Sequence, residues 1–287
     1  TRVVKDEIVA KVELQAGPYR VVSLMTREAA DELELAPGVL AVVALVLAGC
    51  GGDGEPSGGS TASPSELKVF AAASLTAAFT ELGKQYAAAN GGDKVTFNFA
   101  GSQALATQIQ QAAPADVFAS ADIANMDKVT DLVGTPRNFA SNQLQIVVEN
   151  GNPRNVQGVD DLANPDLKVV LAAPEVPAGR YAAESLAKAG ATVEPVSEED
   201  NVKAVVTKVS LGEADAGIVY VTDVTAGGDK VEGVAIPEEL NVLATYPIAT
   251  VKASKAQDQA QAFMDLVVSA EGQQVLEVHG FLPPPTT

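Results

Sequence analysis

The stretch Val69-Phe-Ala-Ala-Ala-Ser74, followed by Leu75-Thr-Ala-Ala-Phe-Thr-Glu-Leu82, has the pattern of a strand that runs directly into a helix. The pattern returns in Val95-Thr-Phe-Asn-Phe-Ala-Gly-Ser102, which continues into Gln103-Ala-Leu-Ala-Thr-Gln-Ile109. We predict that each serine is a helix N-cap, followed by backbone N–H groups without intrahelical partners. Two such helix starts facing one cleft would form an anion site without a cationic side chain.

Composition narrows the possible partners of the 287-residue chain. The net charge of −18 argues against nucleic acid, which requires a basic face, and against attraction to anionic lipid. The same charge repels an anion at long range, so capture of an anion must be a local effect. Cys50 is the single cysteine, which excludes a disulfide within the chain and a cysteine metal cluster.

From Leu67 onward, strand-like and helix-like runs alternate, which predicts a layered α/β fold. We expect two lobes with largely parallel sheets, joined by strands that cross near 145–149 and 244–250. The expected strands are 67–71, 95–99, 116–119, 144–149, 168–172, 216–221 and 242–251. The expected helices are 75–89, 103–111, 123–133, 180–189, 202–211, 255–269 and 270–279.

The region before Leu67 predicts an exported, tethered protein. Residues 39–48 are ten consecutive apolar residues, too few to span a bilayer but typical of a signal-peptide core. Leu47-Ala-Gly-Cys50 resembles a bacterial lipobox, which implies lipidation of Cys50. Residues 51–66 are rich in Gly, Ser and Pro, as in a flexible tether. A buried strand with an incidental cysteine is the alternative.

Residues 1–38 do not fit a signal sequence, because Asp31-Glu-Leu-Glu34 is acidic where basic residues are expected. Residues 7–14 and 19–24 alternate like strands around a Gly17-Pro18 turn, and a helical turn is expected from Thr26. This segment resembles a truncated molybdate-binding module of the Mop or TOBE type. We interpret it as a fusion or gene-boundary product; an intracellular molybdate store or sensor is the alternative that it raises.

Further motifs downstream complete a family pattern. They are Phe99-Ala-Gly-Ser102, Ala115-Asp-Val-Phe-Ala-Ser-Ala-Asp122, Val176-Pro-Ala-Gly-Arg-Tyr181 and Ala214-Asp-Ala-Gly-Ile-Val-Tyr220. In this order they resemble the molybdate-binding component of bacterial ABC importers, the ModA type. The resemblance implies a type 2 periplasmic-binding-protein fold, with one lobe from 67–147 and 246–287 and the other from 148–245. It also implies oxyanion contacts from Ser74, Ser102, Ala178, Val202 and Tyr220 in the cleft between the lobes.

The function implied is high-affinity extracytoplasmic binding of molybdate, and of tungstate, with delivery to an ABC permease. The protein would be a monomer on the outer face of the cell membrane, lipid-anchored or periplasmic, with no cofactor and no direct protein ligand to molybdenum. Molybdate is a deprotonated dianion and accepts on every oxygen, whereas phosphate keeps a proton that an all-donor pocket rejects. A binding protein for sulfate or thiosulfate is the alternative.

Enzyme activity is not expected. Ser102 lacks a nucleophile-elbow pattern, and Ser185-Leu-Ala-Lys188 lies on an amphipathic helix without a companion motif. The single histidine, His279, reads as a helix-end residue. We expect structural roles for Asp116 and Asp122, the latter as an N-cap.

Overall fold

The computed structural model describes residues 2–5, 9–16, 19–26 and 66–285. They belong to two compact units, Thr1–Ser60 and Thr61–Thr287. In the first unit, β1 (Arg2–Lys5), β2 (Val9–Ala16) and β3 (Tyr19–Thr26) form an antiparallel sheet. The hairpin of β2 and β3 confirms the two strands predicted there. The helical turn after Thr26, the apolar segment, Cys50 and the tether up to residue 65 lie outside the described residues.

The second unit alternates strands and helices, as predicted. Its strands are β4 (Glu66–Ala72), β5 (Lys94–Ala100), β6 (Val117–Ala119), β7 (Arg137–Glu149), β8 (Val169–Ala172), β9 (Ser197–Glu199), β10 (Ala216–Tyr220), β11 (Val231–Ala235) and β12 (Leu243–Thr250). Its helices are α1 (Thr76–Ala89), α2 (Ser102–Gln110), α3 (Ile123–Asp127), α4 (Pro177–Ala189), α5 (Val202–Ser210), α6 (Val221–Gly227), α7 (Gln257–Val268) and α8 (Ala270–Val278). Short 3-10 turns occupy Ala73–Leu75, Val159–Ala163 and Gly228–Lys230.

The strands form one sheet in the order β5-β4-β6-β12-β7-β10-β8-β9, and β11 also pairs with β7. Strand β7 belongs to both halves, because residues 137–143 pair with β12 and residues 144–149 pair with β10 and β11. We call the half with β4, β5, β6 and β12 the first lobe, and the half with β8 to β11 the second lobe. The lobe boundaries at 147/148 and 245/246 stay a prediction.

The expectation of largely parallel sheets is wrong for the strands that join the lobes. Pairs β4–β5, β4–β6, β8–β10 and β8–β9 are parallel, whereas every pairing made by β7 or β12 is antiparallel. Helical crossovers make neighbours parallel within a lobe. The chain leaves the first lobe along β7 and returns along β12, so these two strands run in opposite directions.

Several element bounds also differ from the prediction. The helix expected over 123–133 ends at Asp127, and β9, β11 and α6 were not predicted. Helix α6 is short and rich in β-branched residues, which have low helix propensity. Its Thr222 and Asp223 are buried, so tertiary packing rather than local preference forms it.

An aromatic cluster fixes the first lobe behind the cleft. The Phe79 ring of α1 lies 5.7 Å from the Phe139 ring and 5.8 Å from the Phe263 ring, measured between centroids. Phe139 in turn contacts Tyr246 of β12, with centroids 6.2 Å apart. The strand that returns from the second lobe is therefore packed directly on the core of the first.

Candidate functional site

A cavity lies between the lobes, at the carboxyl ends of the strands on both sides. The cavity is small: the volume that the centre of a water molecule can occupy is about 10 Å³. It is lined by Ala72, Ala73, Ser74, Ala100, Gly101, Ser102, Ala121, Val176, Pro177, Ala178, Asn201, Val202 and Tyr220. The structure thus brings all five predicted contact residues to one cavity.

The first lobe contributes Ser74 and Ser102, and neither is the N-cap that the sequence predicted. Ser74 lies inside the 3-10 turn, and Ser102 is the first residue of α2, capped by Gly101. Each hydroxyl instead forms a hydrogen bond with a residue outside its own helix. Ser74 Oγ lies 3.0 Å from the Tyr246 hydroxyl, and Ser102 Oγ accepts a hydrogen bond from Ala121 N–H at 3.0 Å. Both serines are buried and line the cavity.

The second lobe contributes backbone N–H groups at two helix starts. In α4 the first intrahelical bond runs from Arg180 N–H to the Val176 carbonyl, so Ala178 N–H has no acceptor within the helix. Gly179 allows this start to press against β8, because a Cβ there would come within 2.3 Å of the Ala172 carbonyl oxygen. The helix starts at Pro177, three residues earlier than predicted, since proline suits the first helical position.

The second helix start is that of α5. Asn201 is its N-cap and accepts from Ala204 N–H at 3.1 Å. Val202 is the first helical residue, so its N–H is among those that the helix leaves without a partner. Val202 is buried and lines the cavity, as does Asn201.

Tyr220 completes the cavity from the end of β10. Its residue surface is 1% exposed, and its hydroxyl oxygen is buried with no hydrogen-bond partner among the described residues. Burial raises the pKa of Tyr220 well above its usual value, so the phenol keeps its proton at neutral pH. A buried hydroxyl without a partner is costly, and this one leaves an O–H available to donate into the cavity.

The walls of the cavity are uncharged. Among the described residues that line it, none has an acidic or basic side chain. Arg180, in the first turn of α4, pairs with Asp122 of the first lobe at 2.5 Å. Although burial opposes its charge, Asp122 raises the pKa of Arg180. Lys203, beside Val202 at the start of α5, is exposed.

Two further contacts show that the lobes touch across the cavity mouth. Gln103 Nε2 donates to the Asp200 carbonyl at 2.9 Å, from the first lobe to the second. A Cβ at Gly101 would come within 2.5 Å of the same carbonyl oxygen, so only glycine allows this approach. Asp122 is also the N-cap of α3 through Asn125 N–H, which confirms its predicted structural role.

Residues that the sequence reasoning missed lie immediately behind the cavity. Tyr246 of β12 and Asn142 of β7 are fully buried and connect to Ser74 through hydrogen bonds. Tyr246 lies in the strand expected over 242–251, whereas Asn142 precedes the strand expected over 144–149, so no pattern in the sequence pointed to it. Asp223, in the unpredicted helix α6, was also missed: it accepts from Tyr220 N–H at 3.2 Å, and burial raises its pKa to about 7.

The serines show no catalytic pairing. His279 Nε2 lies 2.9 Å from Glu81 Oε2, and no hydrogen bond joins it to a serine in the described part of the chain. Ser185 Oγ is buried in α4 without a partner, while Lys188 donates to the Asn241 carbonyl. In residues 66–285 no cluster of three or more His, Cys, Asp or Glu is placed to hold a metal ion.

Two lobes joined by shared strands, with a small uncharged cavity between them, define a two-lobe solute-binding protein. The family described as bacterial extracellular solute-binding protein matches residues 67–282, and the chain belongs to this family. No helix among the described residues has the length and apolar character needed to cross a membrane.

Three known proteins illustrate the relationship. The molybdate-binding protein ModA of Mycobacterium tuberculosis H37Rv is 43% identical over 246 residues, covering 85% of this chain and 94% of that protein. Escherichia coli ModA is 32% identical, covering 78% and 92%. The structure of the Azotobacter vinelandii periplasmic molybdate-binding protein matches 76% of this chain and all of its own, with a TM-score of 0.66 at 20% identity, and shares the fold.

Proposed function

We propose that the protein binds molybdate in the cavity between its lobes and delivers it to the permease of an ABC importer. The observation that carries this proposal is the buried Tyr220 hydroxyl, which has no partner among the described residues and faces an uncharged cavity. Ser74 and Ser102 add hydroxyl donors, and Ala178 and Val202 add backbone N–H donors. The similarity to proteins named as molybdate-binding supports the choice of ligand.

The donor set suits a tetrahedral dianion. Each charge-assisted hydrogen bond contributes roughly 1.5–3 kcal/mol, so several in a closed cavity give sub-micromolar affinity, about −8 kcal/mol or better. Tungstate has the same charge and nearly the same size, so we expect it to bind comparably. Sulfate is also fully deprotonated but smaller, and the fit of the cavity decides between them. Binding of sulfate or thiosulfate remains the alternative function.

Calorimetry with molybdate, tungstate, sulfate and phosphate tests the proposal. We expect tight binding of molybdate and tungstate, weaker binding of sulfate and the weakest binding of phosphate. Ser102→Ala should weaken molybdate binding about tenfold or more, because it removes a donor to a charged ligand. If sulfate binds tightly and molybdate gives no heat, the alternative function, binding of sulfate or thiosulfate, would replace the proposed one.

We further propose that the protein acts outside the cytoplasm as a monomer and is anchored to the membrane by a lipid on Cys50. In this proposal it has no enzymatic activity. Family membership supports the location, and the lipobox-like sequence and the tether composition support the anchor. In this proposal residues 1–49, including the Mop-like segment, are absent from the mature form. Mass spectrometry of the cellular protein tests it: a diacylated N-terminus at Cys50 is expected, and an unmodified chain that retains residues 1–49 would refute it.

A further inference from the structure

A chain of buried polar groups leads from the strands that join the lobes to the cavity. Asn142 lies on β7 and Tyr246 on β12, and both are fully buried. Asn142 Nδ2 lies 3.5 Å from the Tyr246 hydroxyl, which lies 3.0 Å from Ser74 Oγ. None of these contacts belongs to the backbone pairing of the sheet. These side-chain hydrogen bonds are therefore additional to the backbone pairing that forms the sheet.

The direction of donation along this chain is fixed at Asn142. Gln143 N–H donates to Asn142 Oδ1 at 2.9 Å, which identifies that atom as the amide oxygen. The amide nitrogen then faces Thr222 Oγ1 at 2.9 Å and the Tyr246 hydroxyl. An amide nitrogen only donates, so Tyr246 accepts on that side and directs its own proton towards Ser74.

The consequence falls on Ser74. Burial raises the pKa of Tyr246, so the phenol keeps its proton at neutral pH. Because Asn142 donates to the Tyr246 oxygen, we assign the Tyr246 proton to the 3.0 Å contact with Ser74 Oγ. A lone pair of Ser74 is thereby occupied, and its own proton is left to point into the cavity. Ser102 is arranged in the same way by a different donor, since Ala121 N–H donates to its Oγ.

We propose that Tyr246, oriented by Asn142, is a specificity-determining positioning residue that holds Ser74 as a hydrogen-bond donor to the ligand. This inference rests on the proposed oxyanion-binding function and adds to it a reason for rejecting protonated anions. A serine hydroxyl normally donates or accepts, whichever the ligand requires. Here one of the two lone pairs of Ser74 Oγ is already used by Tyr246 and the hydroxyl proton is directed at the ligand, so the P–OH of phosphate is a poorer partner at Ser74 than a bare oxyanion.

Sulfate and phosphate isolate this effect, because they have nearly the same size and differ by a proton at pH 8. Tyr246→Phe removes the donor to Ser74 but keeps the ring, which packs on Tyr220, Phe139 and Phe281. We expect molybdate and sulfate each to bind about tenfold more weakly. Phosphate should lose less, so the ratio of the phosphate Kd to the sulfate Kd should fall at least about threefold.

Tyr86→Phe is the matched control. Tyr86 is buried in the first lobe and donates to the Gln259 carbonyl at 3.3 Å, away from the cavity lining. The Tyr86→Phe variant should bind molybdate, sulfate and phosphate with native affinities, so the ratio of the phosphate Kd to the sulfate Kd should not change. A double-mutant cycle then tests whether Tyr246 acts through Ser74: in a Ser74→Ala background, Tyr246→Phe should change the ratio by less than twofold.

The outcomes separate the inference from the function on which it rests. If the native protein binds no oxyanion, the proposed function fails and the inference fails with it. If the native protein binds molybdate but Tyr246→Phe leaves the phosphate-to-sulfate ratio unchanged, only the inference is overturned. A ratio that falls equally with and without Ser74 would also overturn it, because Tyr246 would then act by another route.

Discussion

The two lobes supply donors to the same cavity by different means. The first lobe contributes Ser74 and Ser102, and the hydroxyl of each is hydrogen-bonded to a residue outside its own helix. The second lobe presents the N–H groups of Ala178 and Val202, which helix geometry alone directs. A side-chain donor depends on its neighbours, whereas a backbone donor depends on where the helix begins. The lobes should therefore respond differently to substitution.

The largest expected effect comes from removing a backbone donor of the second lobe. Val202→Pro deletes one N–H at the first position of α5, where proline is tolerated. Asn201 already has the extended backbone that a following proline requires, with φ −160° and ψ 162°. We expect molybdate binding to weaken about 100-fold, as measured by calorimetry, with the circular dichroism spectrum unchanged.

Val202→Ala is the control, because it changes the side chain and keeps the N–H. We expect its affinity to stay within about threefold of native. Equal losses in the alanine and proline variants would mean that the Val202 side chain, not the backbone, matters. That result would remove the contrast between the lobes.

A smaller effect concerns the buried carboxylates on the two sides of the cleft. Asp122 in the first lobe forms an ion pair with Arg180 and accepts hydrogen bonds from Asn125. Asp223 in the second lobe accepts a hydrogen bond from Tyr220 N–H. Burial raises the pKa of Asp223 to about 7. The folded state therefore holds a proton that the unfolded state, with its ordinary pKa, has lost between about pH 4 and 7. Stability should fall as pH rises through this window.

From pH 5.5 to pH 8 this group should lower the free energy of unfolding by about 2 kcal/mol, since one pKa unit corresponds to about 1.4 kcal/mol. Thermal unfolding of native protein and Asp223→Asn at both pH values measures it. The variant can still accept from Tyr220 N–H but cannot ionise, so it should lose most of this pH dependence. A native-like pH dependence in the variant would assign the effect to other groups.

The smallest expected effect concerns the contact between the lobes. Arg180→Gln removes the ion pair with Asp122 that crosses the cavity mouth. Because the Arg180 side chain is 40% exposed, the pair is partly screened, and we expect only a three- to fivefold faster release of molybdate. Stopped-flow tyrosine fluorescence can follow release, since the chain has no tryptophan.

Arg154→Gln is the matched control for this prediction. Arg154 pairs with Asp215 at 2.9 Å within the second lobe, so its loss leaves the contact between lobes intact. Its release rate should equal that of the native protein. Faster release in both variants would point to general loosening of the second lobe rather than to a contact across the cleft.

Sequence patterns located most strands and helices, because buried runs of β-branched and apolar residues alternate with amphipathic segments. They failed at α6, whose β-branched residues are held helical by packing, and at the serine caps. Ser74 and Ser102 have the residue type and position of N-caps, but Tyr246 and Ala121 N–H engage their oxygens instead. A local sequence pattern contains no information about a hydrogen-bond partner that is distant in the chain.

The sequence by itself determined the α/β class and the strand-to-helix turns, and its family resemblance predicted five residues that are among those lining the cavity. The class and the turns could be predicted because strand ends and helix starts are local features. Only the tertiary structure decided that the walls carry no charge, that Arg180 is turned to Asp122, and that Tyr246 faces Ser74. These depend on contacts between residues up to 172 positions apart, which no local pattern contains.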